Sequence, residues 1–193
     1  MLQNKEIGFA VTGSFCTFSR VLPVMKALAE HNRVTPILSE HSRELDTRFF
    51  EAAEFQKQAE TVCGTKAITS IVEAEPIGPK KMFDVLIVAP ASGNTLAKIN
   101  WGIVDGTVPM AVKSHVRNDR PVVLAVSTND ALGAAAQNIG MLLNKRNFFF
   151  VPLGQDDWKK KPRSMVAHFD MIELAAEEAL AGRQVQPLIR PYA

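Results

Sequence analysis

The stretch VLIVAPASGNTLAKI, residues 85–99, decides the fold of this chain. Its five leading apolar residues predict a β-strand that is buried on both faces, as in a parallel sheet covered by helices. Pro90 is expected to end the strand, and a turn of small residues then opens a helix. Backbone N–H groups at a helix start attract anions, and Gly93 lets a ligand approach the main chain closely. The turn therefore has two interpretations: an anion-binding site, or an ordinary strand-to-helix turn capped by Ser92 or Asn94.

Other segments extend this pattern into an alternation of strands and helices. Short apolar runs predict further strands at residues 7–11, 34–38, 122–126 and 148–152, and a sixth near residues 66–69. Helical spacing of apolar residues predicts helices at residues 19–32, 46–61, 130–145 and 164–181. The alternation predicts an α/β fold with a doubly wound, mostly parallel sheet and helices on both faces, a Rossmann-like three-layer sandwich. We expect one domain over residues 1–193, with a loop and a C-terminal helix at about 154–182.

The composition is that of an ordinary globular protein. Of the 193 residues, 47% are hydrophobic and 22% are charged, and a net charge of +2 is too small to favour nucleic acid or a membrane surface as a partner. No apolar run reaches the roughly 18 residues that a membrane-spanning helix needs. Cys16 and Cys63 form neither a disulfide framework nor a metal-ligand cluster, and free thiols fit a reducing cytoplasm.

Small polar turns follow three of the predicted strands. They are Thr12-Gly13-Ser14, residues 91–95 and Ser127-Thr128-Asn129, and Ser39 follows a fourth strand. The carboxyl ends of parallel strands share one edge of the sheet, which is where open α/β sheets bind ligands. Hydroxyls, amides and main-chain donors suit a phosphate and a polar ring edge, whereas the lack of a carboxylate or imidazole cluster disfavours a metal. The sequence contains no Gly-x-Gly-x-x-Gly or Walker motif.

Several of these motifs resemble one protein family. Pro90-Ala91-Ser92-Gly93-Asn94-Thr95 resembles the Pro-Ala-Ser-Ala-Asn-Thr signature of flavoproteins related to the homo-oligomeric flavin-containing cysteine decarboxylases, with Gly93 in place of an alanine. The following residues 96–99, together with Gly102 and Asp105, are similar to the same family. The resemblance extends from about residue 7 to residue 153.

The resemblance implies FMN at this edge of the sheet and a homo-oligomer built from trimers, because flavins of the family lie at contacts between protomers. Trp101, Val104 and residues 108–110 are the expected apolar contact surface. The positions that the resemblance marks as flavin-binding are Gly13, Ser14, Phe15, Ser39, Ser92, Asn94, Thr95, Ser127, Thr128 and Asn129.

The chain departs from the family at the position of its decarboxylation chemistry. The cysteine decarboxylases carry a catalytic histidine shortly before the signature, whereas residues 73–81 contain none. Glu75 is a candidate replacement acid or base, and a solvated loop carboxylate is the alternative. Cysteine decarboxylation is therefore disfavoured, and the catalytic residues stay unassigned.

Three further features have a plain and a functional interpretation. Cys16 lies near a helix start, which favours a reactive thiolate, but we expect a packed interior side chain. His115 lies late in a helix that begins near Thr107, and belongs either to a surface basic cluster or to a neighbouring protomer's pocket. Residues 154–162 form either a solvated loop or a flexible flap, whose Lys159, Lys160 and Lys161 would meet an anionic substrate such as a small dicarboxylate.

Three hypotheses of function stay open. The first is a flavoprotein subunit of an oxidoreductase that acts on a small dicarboxylate. In that case NAD(P) is bound only through a partner protein, because this chain has no dinucleotide fingerprint. The second is a non-catalytic, oligomeric flavin-binding scaffold that stabilises that partner. The third is an independent FMN-dependent decarboxylase or prenyltransferase, against which the missing histidine counts.

Overall fold

The apolar runs of the sequence form a mostly parallel sheet. Among residues 2–192, which the computed structural model describes, seven strands are present: β1 (Glu6–Val11), β2 (Arg33–Leu38), β3 (Val85–Ala91), β4 (Val122–Thr128), β5 (Phe148–Phe150), β6 (Leu153–Gly154) and β7 (Met165–Ala167). Their order is β2-β1-β3-β4-β7-β6, and β5 pairs with the first half of β4. Strands β1 to β5 pair in parallel, and β7 is antiparallel to both β4 and β6. The predicted Rossmann-like α/β class is therefore confirmed.

Helices cover both faces of this sheet. They are α1 (Phe18–Ala29), α2 (Glu40–Glu44), α3 (Ala52–Cys63), α4 (Ile71–Ala74), α5 (Gly93–Trp101), α6 (Thr107–Val116), α7 (Ala135–Leu143) and α8 (Ile172–Leu180). Side chains of β3 alternate between two fully buried cores, Val85 and Ile87 in one and Leu86 and Val88 in the other. α1, α3 and α8 pack on the first core, and α4 to α7 pack on the second. Burial on both faces explains why the strand sequences are continuously apolar.

The strand β3 is longer than predicted. It continues through Pro90 to Ala91, and its pairing with β4 shifts register between Val88 and Ala91. Proline cannot donate a hydrogen bond to a sheet, and such an irregularity accommodates it. The strand therefore delivers its last residues to the edge of the sheet, where Ser92 starts α5.

The C-terminal helix is shorter than predicted. Residues 165–167 of the predicted helix form β7, which pairs with Ser127 and Thr128 at the end of β4, and α8 begins only at Ile172. The predicted strand near residues 66–69 is reduced to a bridge between Ile68 and Ile37 of β2. No helix within residues 2–192 is long and apolar enough to cross a membrane.

Candidate functional site

The three polar turns meet at one edge of the sheet and are joined by hydrogen bonds. The Thr12 hydroxyl donates to the Pro90 carbonyl at 2.7 Å and accepts the Ser92 N–H at 3.0 Å. The hydroxyls of Ser14 and Ser127 lie 2.8 Å apart. Thr12 is only 1% exposed, so its two bonds replace water and fix the first turn to the second. The carboxyl edge of the sheet is thus a connected polar surface.

One cavity along this edge, the Ser39 cavity, has a volume of about 560 Å³. Gly13, Ser39, Ser92, Asn94 and Thr95, five of the positions predicted to bind a flavin, line it. Ser92, on the wall of this cavity, is the N-cap of α5. Its hydroxyl accepts the Thr95 N–H at 3.4 Å and lies 3.0 Å from the Thr95 hydroxyl. Ser39 caps α2 in the same way by accepting the Ser42 N–H at 3.3 Å. The start of α5 carries a partial positive charge, which favours an anion beside Ser92, although two carboxylates, those of Glu40 and Asp105, also line the cavity.

Glu40 fixes the outer wall of the Ser39 cavity. The N–H and the hydroxyl of Thr107, at the start of α6, both donate to Glu40 Oε1 at 2.8 Å. Burial opposes ionisation of Glu40, but these hydrogen bonds and the charge of Arg43 hold the pKa of its carboxyl below the usual value. A Cβ atom on Gly106 would come within 2.8 Å of Oε2, so glycine leaves room for this contact. The sequence did not predict the role of Glu40, because its partner Thr107 lies far along the chain.

A neighbouring cavity, the Ser127 cavity, shares Gly13 and Ser92 with the first and has a volume of about 450 Å³. Its other predicted wall residues are Ser14, Ser127, Thr128 and Asn129. The Asn129 side-chain oxygen accepts the Ser164 hydroxyl at 3.4 Å, which joins this wall to the segment before β7. The structure therefore brings nine of the ten predicted positions to two adjoining cavities.

Phe15 is the tenth position, and its side chain packs against the first core instead of lining a cavity. Its half-buried ring packs on the first core, with its centroid 5.5 Å from that of Phe18. It lines neither cavity, although a Cβ atom on Gly13 would lie 3.7 Å from its Cζ atom.

Gly93 lies close to the side chain of Thr128. A Cβ atom at this position would be 3.0 Å from the Thr128 hydroxyl oxygen. The glycine that replaces the signature alanine thus accommodates Thr128.

The loop of residues 154–162 places one of its three lysines at the candidate site. Lys161 lines the Ser127 cavity, where its ammonium lies 3.3 Å from Asp156 Oδ2. Lys159 and Lys160, both predicted to meet substrate, are exposed and line neither cavity. A second cation of the Ser127 cavity, Arg20, was not predicted, because it lies on α1 without any sequence motif.

His115 lies away from both cavities, which corrects its prediction as a substrate-binding residue. It is 1% exposed, and its Nε2 atom is 3.0 Å from the carbonyl of Pro121, just before β4 begins. Burial lowers the pKa of His115 to about 4, so the imidazole is neutral at pH 7. It is neither a surface basic residue nor a group that a ligand at the carboxyl edge could reach.

One other candidate, Cys16, also differs from expectation. Cys16 is exposed and lines the Ser127 cavity, so the expected packed interior position is wrong. Cys63 is half-buried, and burial raises the pKa of its thiol to about 12. Glu75 is exposed and lines neither cavity. Within residues 2–192, no group of three His, Cys, Asp or Glu side chains is arranged to hold a metal ion.

A larger cavity lies at the opposite edge of the sheet. It has a volume of about 830 Å³ and is bordered by Lys5, His31 and Cys63, near the amino ends of β1 and β2. None of the polar turns reaches it. Ligands of open α/β sheets bind outside the carboxyl ends of the strands, so the two smaller cavities form the candidate site.

The fold and its polar carboxyl edge define an α/β protein of the Rossmann-like class. The model of the family described as Flavoprotein matches residues 1–175. The chain therefore belongs to the Flavoprotein family, and the resemblance carried by residues 90–95 is confirmed.

Individual relatives give a narrower comparison. The B subunit of dipicolinate synthase from Bacillus subtilis (strain 168) is 45% identical over 189 residues, which cover 97% of this chain and 94% of the relative. The crystal structure of the B subunit of dipicolinate synthase from Bacillus halodurans C superposes with a TM-score of 0.91 at 38% identity, covering 99% of this chain and 98% of the other. A dodecameric FMN-dependent Ubix-like decarboxylase from Escherichia coli O157:H7 has a TM-score of 0.62 at 21% identity, with coverage of 76% and 79%. The last comparison concerns the fold alone.

Proposed function

We propose that this chain is the flavoprotein subunit of a dipicolinate synthase and holds FMN along the carboxyl edge of its sheet. The observation that carries the proposal is the pair of adjoining cavities, whose shared walls Gly13 and Ser92 belong to hydrogen-bonded turns. The similarity to the B subunits of two dipicolinate synthases, along almost the whole chain, supports the choice of reaction.

The donor set of these cavities fits FMN. A phosphate needs hydrogen-bond donors near a helix start, and the hydroxyls of Ser39, Ser92 and Thr95 would supply them beside the start of α5 at the Ser39 cavity. A polar ring edge needs hydroxyl and amide partners, which Thr128 and Asn129 would supply at the Ser127 cavity. A bound flavin would supply two-electron redox chemistry, while the residues of this chain would bind and orient it.

The reaction that we propose is oxidation of dihydrodipicolinate, or of its hydroxylated precursor, to dipicolinate during sporulation. A second protein, the A subunit of dipicolinate synthase, would hold NAD(P) as the partner of this chain, which itself has no dinucleotide fingerprint. We place the assembly in the cytoplasm of the mother cell. We also propose that the chain forms a homo-oligomer built from trimers, as the dodecameric relative in fold suggests.

A second candidate function is a flavin-binding scaffold for that NAD(P)-binding partner. One observation favours it: His115 is buried away from the cavities and Glu75 is exposed outside them. Neither Glu75, the candidate acid or base, nor His115, one of the candidate substrate contacts, therefore lies on the cavity walls that residues 2–192 form.

Flavin titration tests the binding part of the proposal. We expect added FMN to lose fluorescence on binding with micromolar or tighter affinity. Asn94→Asp should weaken binding by about tenfold, because it places a carboxylate on the wall of a cavity that receives a phosphate. Asn144→Asp, which adds the same charge at the exposed end of α7, is the matched control. The proposal would be overturned if no flavin showed saturable binding to the chain.

Separate and mixed assays distinguish the two candidate functions. Dipicolinate formation would be followed by its ultraviolet absorbance with this chain alone, with the NAD(P)-binding partner alone and with the two together. We expect activity only in the mixture, with FMN present. Full activity of the partner alone would favour the scaffold, and full activity of this chain alone would contradict the division of labour.

A further inference from the structure

The guanidinium of Arg20 is held by aromatic rings instead of a carboxylate. Its Cζ atom lies 4.8 Å from the ring centroid of Phe169 and 5.9 Å from that of Tyr192, and Nη2 donates to the Tyr192 hydroxyl at 3.4 Å. Phe169 is 2% exposed, so the ring against which the Arg20 guanidinium lies is part of the core. Within residues 2–192, Arg20 forms no ion pair. These two ring contacts and the hydrogen bond to Tyr192 position the exposed Arg20 side chain and leave most of its N–H donors for another acceptor.

The other charged side chains of the Ser127 cavity already have partners in the chain. Lys161 pairs with Asp156 at 3.3 Å. Asp130 accepts the N–H of Ala134 at 2.9 Å and is held by that turn. Of the four charged side chains on this wall, Arg20 alone lacks an oppositely charged or main-chain partner among the described residues. The cavity thus presents a positioned cation that the fold itself does not neutralise.

We infer that Arg20 binds one carboxylate of the dicarboxylate substrate in the Ser127 cavity. The inference rests on the proposed function, which supplies the dicarboxylate. A guanidinium fork matches a carboxylate with two parallel hydrogen bonds, which the point charge of a lysine cannot do. The hydroxyls of Ser14 and Ser127 lie on the same wall, and the substrate ring would occupy the part of this cavity of about 450 Å³ that the edge of a bound flavin leaves open.

The same fork would also suit the phosphate of FMN, so the experiment separates the two anions. Binding of dipicolinate, the product, which keeps both carboxylates of the substrate, to the full chain saturated with FMN would be measured by calorimetry, with and without the NAD(P)-binding partner. Binding of FMN and of riboflavin, which lacks the phosphate, would be measured on the same variants. The variants are Arg20→Gln, which removes the charge, and Arg20→Lys, which keeps the charge but loses the fork.

We expect Arg20→Gln to weaken dipicolinate binding at least about tenfold and Arg20→Lys to weaken it less, because the loss is that of a charge-assisted hydrogen bond. The ratio of FMN to riboflavin affinity should not change. Arg48→Gln is the matched control, because the Arg48 guanidinium also lies 4.8 Å from a phenylalanine ring, that of Phe49, but lines neither cavity. Its dipicolinate affinity should equal that of the natural chain.

Each other result has a definite meaning. Unchanged dipicolinate binding in both Arg20 variants would overturn this inference and leave the proposed function standing. A loss of FMN affinity without loss of riboflavin affinity would identify Arg20 as a phosphate ligand and also overturn it. Failure of the natural chain to bind dipicolinate, with and without its partner, would remove both this inference and the substrate of the proposed function. Arg20→Lys keeps the test decisive if Arg20→Gln does not fold.

Discussion

At the scale of single residues, the hydroxyl of Thr12 is the link between two turns of the site. Thr12→Val keeps the shape of the side chain but leaves the Pro90 carbonyl and the Ser92 N–H without this partner. We expect the free energy of unfolding to fall by about 1–3 kcal/mol, the cost of unsatisfied buried polar groups. Urea denaturation measures it. Thr61→Val, at an exposed hydroxyl on α3, should stay within about 0.5 kcal/mol, and equal effects of the two changes would contradict the role of Thr12.

His115 makes stability depend on pH. Burial lowers its pKa in the folded chain to about 4, whereas 6.5 is the ordinary value. Between these two values the unfolded chain binds the proton and the folded chain does not, so stability is lost as the pH falls through this range. From pH 7.5 to pH 5, the natural chain should lose about 2 kcal/mol more than His115→Gln. Unfolding curves at both pH values measure the difference, and parallel losses would show that His115 does not titrate in this way.

The residues of the site differ in how far the sequence could predict them. Gly13, Ser92 and Ser127 are predictable because a small polar turn after a buried strand has a local signal. Arg20 and Glu40 are not, because their roles depend on partners brought close only by the fold, Phe169 for one and Thr107 for the other. His115 was misplaced because sequence shows neither its burial nor its bond to the main chain.

At the scale of elements, Glu40 connects two helices around the Ser39 cavity. It accepts both donors of Thr107 at the start of α6, whose own preceding residue, Gly106, has no side chain to cap it. Glu40→Gln should lower the free energy of unfolding by about 1 kcal/mol at pH 7, as the loss of a charged cap does. Glu44→Gln, at an exposed glutamate of α2, is the control and should have little effect.

The pH dependence of this cap has a definite sign. The pKa of Glu40 is lowered in the folded chain, so its stabilisation is present above the unfolded pKa and is lost as the pH falls through the folded one. The stability difference between the natural chain and Glu40→Gln should therefore shrink as the pH falls below about 4. A stability difference that persists at low pH would mean that the geometry of the Glu40 hydrogen bonds, and not the charge of the carboxylate, stabilises the start of α6.

The elements themselves were predictable to the extent that burial is encoded locally. The central strands β1, β3 and β4 were recognised because each is buried on both faces and so reads as a continuous apolar run. The start of the C-terminal helix was not, because Met165 and Val166 fit helical spacing as well as a strand. Their pairing with the end of β4 decides the outcome, and this partner is remote in sequence.

At the scale of the whole molecule, two residues of the predicted contact surface of the oligomer are buried, whereas Trp101 is exposed and Val104 and Met110 are half-buried. Val108 and Pro109 are buried within α6 and cannot contact a second copy. The exposed apolar side chains near them are Trp101 and Ile103, and α7, which packs beside α5, adds Met141. We propose these three exposed side chains as part of the apolar surface that contacts between protomers need. We therefore place the proposed trimer contact on the outer side of α5 and α7.

The two tryptophans of the chain allow a matched test of this face. Trp101 and Trp158 are both 62% exposed, but only Trp101 lies on α5. Trp101→Glu places a charge in the proposed contact, so light scattering at micromolar concentration should show smaller species than the natural oligomer, with an unchanged circular dichroism spectrum. Trp158→Glu adds the same charge on the loop before β7 and should leave the oligomer intact. A monomeric natural chain, or dissociation by Trp158→Glu alone, would contradict this contact and leave α5 and α7 as a free surface.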